Sequence, residues 1–217
     1  MNLLARLVAT TRSAAISRLA PIAIVALSLF AVSVPVSAAP TLNVSGGTLV
    51  GASGVDVGGT LYDVEFVEGT CVTVFSGCDS DSDFQFTSYS AGLAASQALL
   101  DSVFVDGAAG SFDAFPWLTL GCGYNIECIV RTPTNLNPLY SAFVEGAIAM
   151  NFWGTLADQK SGFSVSINDD TALFDTARMH VWARWTPSSA AQVPGPGTLA
   201  LLCLGLAGLA VSRRRDA

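Results

Sequence analysis

Residues 49–67 read LVGASGVDVGGTLYDVEFV. Two apolar-rich runs, Leu49 to Val57 and Thr60 to Val67, flank Gly58 and Gly59. Two glycines between two such runs signal a two-residue hairpin, because the favoured hairpin turns need positive φ, which glycine adopts without steric cost. In the second run Tyr62, Val64 and Phe66 alternate with Asp63 and Glu65. That period of two predicts one buried face and one wet face.

Downstream, Ser90 to Phe104 (SAGLAASQALLDSVF) reads as a helix. Tyr89, Leu93, Ser96, Leu100 and Val103 recur at helical spacing and form the expected buried stripe. Ser88 or Ser90 is placed to cap its start, and Asp106-Gly107 and Ala109-Gly110 end it. Ile126 to Arg131 predicts a short strand. Tyr140 to Trp153 is long and apolar, and both strand and helix stay open there. Met179, Val181, Ala183 and Trp185 alternate with His180, Trp182 and Arg184, which is strand-like. The sum is a β-rich α+β domain with at least one helix.

Composition places this domain within the chain. Of 217 residues 51% are hydrophobic and 12% charged, against about 25% charged in ordinary soluble proteins. Arg6, Arg12 and Arg18 lie at the start, and Arg213, Arg214 and Arg215 at the end. Between them stand only Arg131, Lys160, Arg178 and Arg184, against every acidic residue except Asp216. So acidic a middle argues against nucleic acid or anionic lipid as partner, since both need a basic footprint. It leaves cation binding open.

The two ends read as targeting segments. Arg6, Arg12 and Arg18 form a basic region without acids, Pro21 to Val34 is apolar, and Val36-Ser37-Ala38 offers small residues before Ala39. This is the three-part secretory pattern, and the apolar run is shorter than the ~20 residues of a spanning helix. Residues 1–38 are therefore expected to be a signal peptide cut by signal peptidase between Ala38 and Ala39. At the other end, Pro187 to Gly197 (PSSAAQVPGPG) reads as a linker. Thr198 to Val211 is wholly apolar, and Arg213, Arg214 and Arg215 follow as a basic stop on the cytoplasmic side. Residues 198–217 are expected to form a hydrophobic, membrane-spanning helix with a basic cytoplasmic tail. At 1.5 Å per residue the apolar run reaches only ~21 Å against a ~30 Å hydrocarbon core. The exported domain is then residues 39–186.

This tail resembles the PEP-CTERM sorting signal of Gram-negative bacteria. The matching parts are Val193-Pro194-Gly195-Pro196, the Thr198-Leu199-Ala200-Leu201-Leu202 block, the Gly205-Leu206-Ala207-Gly208-Leu209 block and the three arginines. The signal usually has Glu between the prolines, where this chain has Gly195. The resemblance implies that an exosortase, a membrane cysteine protease or transpeptidase, acts near the Pro-x-Pro of an inner-membrane-tethered precursor. The product would reach the cell surface or the medium. Residues 59–128 also look like middle domains of such proteins, through Gly59 to Phe66, Gly69-Thr70-Cys71 to Cys78-Asp79 and Ala94 to Leu100. That second likeness implies no activity.

The exported part holds four cysteines, Cys71, Cys78, Cys122 and Cys128. An even number in an oxidising compartment points to disulfides, with three pairings open. The local one, Cys71 with Cys78 and Cys122 with Cys128, closes the shortest loops and is favoured. A zinc site is the rival, and neither pair has C-x₂₋₄-C spacing. Asp79-Ser80-Asp81-Ser82-Asp83 offers alternating carboxylates suited to Ca²⁺. Positions six and twelve of that loop are Phe84 and Ser90, so it is not an EF-hand, and a solvated acidic loop is the plainer reading. Asp169-Asp170 reads as a turn. His180, the single histidine, has no nucleophile motif to serve. Trp117, Trp153, Trp182 and Trp185 are either core or a sugar-stacking surface. No P-loop, dinucleotide fingerprint or selected carboxylate pair is present.

The reading is thus an exported surface or extracellular-matrix protein with no catalytic activity and no resident cofactor. The resemblance implies association with exopolysaccharide or biofilm. The alternative is a carbohydrate- or Ca²⁺-binding envelope module, and the third a hydrolase of envelope polymers.

Overall fold

Gly58 and Gly59 take φ of 63° and 90° in the computed structural model of the chain. Positive φ at both centres is the turn that matches strand twist, and it joins β2 (Thr48–Val57) to β3 (Thr60–Val67) as an antiparallel pair. Gly46 and Gly47 repeat the device, at 59° and 87°, between β1 (Thr41–Ser45) and β2. The structure describes residues 39–171 and 179–189. The signal peptide with Ala38, the sorting residues Val193, Pro194, Gly195 and Pro196, the apolar segment from Thr198 and Arg213, Arg214 and Arg215 lie outside them. No helix among the described residues is long and apolar enough to cross a membrane.

The chain continues through α1 (Cys71–Val74), α2 (Tyr89–Ser102), the two-residue strands β4 (Asp106–Gly107) and β5 (Gly110–Ser111), β6 (Glu127–Leu136), β7 (Phe143–Phe152), β8 (Gln159–Ser166) and β9 (His180–Pro187). The main sheet has the order β1-β2-β3-β9-β6-β7-β8. All its neighbours are antiparallel except β6 and β9, which run parallel over Ile129 to Arg131 and His180 to Trp182. The architecture is a mixed β-rich sheet with one main helix, consistent with α+β. The open stretch after Tyr140 resolves as strand β7. The short strand expected over Ile126 to Arg131 proves to be the start of a longer one, β6, which begins at Glu127. β9 runs to Pro187, the residue at which the linker was expected to begin.

Both faces of the sheet are covered. On one, α2 packs over β6 and β7 above Val64, Phe66, Val130, Ala149, Val181, Ala183 and Trp185. On the other, the Cys71 to Phe84 segment covers Val144 and Trp182. Trp182 is therefore fully buried, the core alternative of the two left open for it. Two residues on the same side of β9 thus differ in fate: Trp182 is core, and Arg184 is exposed beside Glu65, 2.5 Å away. Past Trp182 the strands β6 and β9 diverge. Phe84 belongs to the second cluster and Phe86 to the first, so the chain between them crosses from one face to the other there. Asp81 anchors the crossing by accepting the N–H of Leu136 at 2.7 Å.

The helix is capped by Ser88, whose hydroxyl accepts the Ala91 N–H. Its buried stripe is Gly92, Ala95, Ser96, Ala98 and Leu99. Ser96 and Val103 are buried as expected, but the rest of the expected stripe is corrected: Leu93 and Leu100 are only half-buried and Tyr89 is half-exposed. The cause is distance. A Cβ on Gly92 would stand 2.6 Å from Thr134 Cγ2 and 3.3 Å from Ala147 Cβ, so α2 sits too close to β6 and β7 for large side chains between.

Candidate functional site

The cysteines take the local pairing. Cys71 bonds Cys78 (S–S 2.04 Å) and Cys122 bonds Cys128 (2.02 Å). With all four sulfurs bonded in pairs, the four-cysteine zinc reading falls. The first disulfide closes the turn of Ser76 and Gly77 and lies wholly inside the second core cluster. In the chain-entropy account a loop this short contributes about 2–3 kcal/mol.

The acidic loop is spent on its own backbone. Asp83 Oδ2 accepts the N–H groups of Asp79 and Ser80, and Ser80 accepts the N–H of Ser82, capping a short 3₁₀ turn over Asp81–Asp83. Asp81 holds Leu136 as described. Among the described residues no group of three or more His, Cys, Asp and Glu is arranged to hold a metal ion. Asp169, read as part of a plain turn, pairs with Arg131 at 2.6 Å. The Arg131 guanidinium also lies 5.3 Å from the Trp182 ring and 6.0 Å from Phe163. A buried cation needs such partners.

The tryptophans do not form one surface. Trp182 donates its indole N–H to Gly69 O at 2.9 Å, and Trp185 donates to Thr132 Oγ1 at 3.2 Å, so both are satisfied core residues. Trp117 is half-buried against Phe115, with ring centroids 5.1 Å apart. Trp153 alone of the four is exposed, in the turn after β7. His180 opens β9 opposite Ile129 and is half-buried.

A groove of about 340 Å³ lies where the start of α2 meets β6, β7 and β8. Tyr89, Asn135, Glu145, Gly162, Phe163 and Ser164 line it. The Tyr89 ring rests over Gly162, whose missing side chain makes room for it. Glu145 is held from both sides: Asn135 Nδ2 donates to Oε2 at 3.1 Å and Asn137 Nδ2 to Oε1 at 2.5 Å. An exposed flat ring beside a positioned carboxylate, an amide and a hydroxyl suits a polar ligand that also presents an apolar face. Sequence reading missed this group because its members come from separate elements. Tyr89 was assigned to the core stripe by the same one-residue offset that misplaced Leu93.

At the other end of the sheet a second acidic group forms. Asp106 Oδ1 accepts the N–H groups of Asp113 and Ala114, both at 3.1 Å. Asp158 Oδ1 accepts the Phe152 N–H at 2.9 Å. Partial burial pushes Asp158 above the ordinary carboxylate range; the Phe152 N–H opposes this and the Asp113 charge adds to it. Burial and then the Asp106 charge do the same for Asp113.

The family model of the PEP-CTERM protein-sorting motif matches residues 192–215. The chain carries a PEP-CTERM sorting motif. The match covers the Pro-x-Pro, the apolar run and the arginines identified from the sequence. Such a motif indicates an exported, membrane-associated precursor destined for the cell surface, and it implies processing by an exosortase. No curated protein and no solved structure matches the chain.

Proposed function

We propose that this PEP-CTERM protein is a non-catalytic component of the cell surface or extracellular matrix. In this reading signal peptidase cuts before Ala39, and the tail holds the precursor until an exosortase acts near Pro194 to Pro196. The observation that carries the reading is the sorting motif at residues 192–215. The two short-loop disulfides support it, because such bonds persist in oxidising, extracytoplasmic compartments. Intact mass of protein recovered from envelope and medium of an exosortase-bearing host tests it. Loss of residues before Ala39 and of the tail near Pro196 is expected. A mass that retains Met1 or Thr198 to Ala217 in the mature material refutes it.

A second reading, carbohydrate binding, gains from the Tyr89 groove rather than from the tryptophans that first suggested it. Sugar rings stack an apolar face on an aromatic ring while their hydroxyls bond groups such as Glu145, Asn135 and Ser164. Co-sedimentation of the processed domain with the host's exopolysaccharide, reduced at least tenfold by Tyr89→Ala, is the expected outcome. Unchanged co-sedimentation of that variant removes the groove from consideration.

A further inference from the structure

Because β6 and β9 run parallel, both deliver the chain to the same end of the sheet. β9 ends there at Pro187 and leads toward the sorting tail. β6 ends there at Leu136 and leads into the loop before β7. That loop carries Leu139 and Tyr140, which are 83% and 66% exposed, and then Phe143, half-exposed and edge-on to Tyr140 at 6.5 Å. From Leu136 to Val144 the chain has no charged residue, in a strongly acidic domain.

The tip is pre-formed. Asn137 Oδ1 accepts the N–H groups of Leu139 and Tyr140, both at 2.9 Å, and Asn137 N donates to Phe143 O at 2.9 Å. Asn137 Nδ2 is in turn fixed on Glu145. The loop thus holds two large apolar side chains out in solvent by its own backbone bonding, where a surface loop would ordinarily carry polar residues.

We propose that Leu139 and Tyr140 enter the lipid interface of the membrane that holds the precursor's tail. The inference rests on the sorting-motif reading of that tail. The chain from Ser188 to Gly197 spans at most ~35 Å when fully extended, so the end of the sheet where β9 exits stays close to the bilayer. Tyrosine suits the headgroup level, with an apolar ring and a polar tip, and leucine suits the acyl boundary beyond it. The tip itself carries no charge, so its entry brings no carboxylate into the headgroup region. The contact would keep β9 pointed at the membrane and the Pro-x-Pro near the bilayer, where a membrane protease can reach it.

The test uses the full-length precursor, with the fifth cysteine, which lies in the apolar tail, replaced (Cys203→Ser), reconstituted through its tail in phosphatidylcholine–phosphatidylethanolamine vesicles. A nitroxide is attached to Leu139→Cys or, as control, to Leu156→Cys. Leu156 is equally a surface apolar residue, 59% exposed, in the turn after β7. It lies at the opposite end of that strand, on the order of 30 Å away. The expected result is that the label at 139 collides more with oxygen than with a water-soluble nickel chelate, and that the label at 156 does the reverse. Both labels in water, with the precursor still bound to the vesicles, would overturn the proposal. A label at 139 shielded from both reagents would place protein, not lipid, against the tip and overturn it equally. Precursor that fails to sediment with the vesicles would overturn the reading of the tail itself, and this inference with it.

Discussion

Two charged side chains show how burial sets their energetics in opposite directions. Arg131 is buried but ion-paired and flanked by rings, so removing Asp169 would strand a cation in the core. Asp158 is partly buried beside another carboxylate, and folding raises its affinity for the proton. A group whose pKa rises on folding adds stability that is full below the ordinary aspartate value. That stability is lost as pH climbs through the raised, folded value. Asp158→Asn keeps an acceptor for the Phe152 N–H and deletes the charge. We therefore expect the variant to be more stable than the parent at pH 7, with a shallower loss of stability as pH rises from the ordinary aspartate range. The slope does not vanish, because Asp113 shifts in the same direction. Urea unfolding midpoints across the acid-to-neutral range measure this, and parallel profiles for the two proteins would refute it.

At the scale of elements, close approach and coverage explain both what the sequence disclosed and what it hid. The β2–β3 hairpin was legible because its turn and its alternation are both local. The disulfides were legible because loop closure favours the nearest partners. The strands β1 and β8 were not, since they are the edges of the sheet and mostly exposed, so their residues carry little apolar signal. β9 was legible as a strand from its alternation, but not that a second layer buries Trp182 on the face opposite Val181 and Ala183. The helix misled in part because hydrophobicity picked Leu93 and Leu100, whereas proximity to β6 and β7 demanded Gly92 and Ala95. That explanation is testable. In an exposed helix Gly→Ala gains about 1 kcal/mol, but here the new Cβ meets Thr134 Cγ2 at 2.6 Å, and overpacking costs roughly 1–3 kcal/mol. Gly92→Ala should therefore destabilise by about 1 kcal/mol and lower Tm by roughly 2–4 °C. A Tm that rises would show the helix free to move outward.

Over the whole molecule, the sorting motif at residues 192–215 stands apart from a middle domain closed by two short-loop disulfides. The sorting segment was legible almost completely, because a signal read by a membrane protease must declare itself in local order, charge and hydrophobicity. The groove around Tyr89 was not, because it exists only once four elements assemble. Gly195 is where the tail departs from the sorting signal it resembles, which usually has Glu between the prolines. A carboxylate there offers a protease a charge-assisted hydrogen bond, and such a bond is worth about 1.5–3 kcal/mol. Where the tail's release is limited by recognition, restoring it corresponds to a gain of roughly tenfold or more in rate. Gly195→Glu should then raise the ratio of processed to precursor mass in an exosortase-bearing host by about that factor. The position of the cut should not change, because the flanking prolines and the arginines remain. An unchanged ratio would mean that the prolines, the apolar run and the basic stop suffice for recognition, and that the residue between the prolines is not read in this chain.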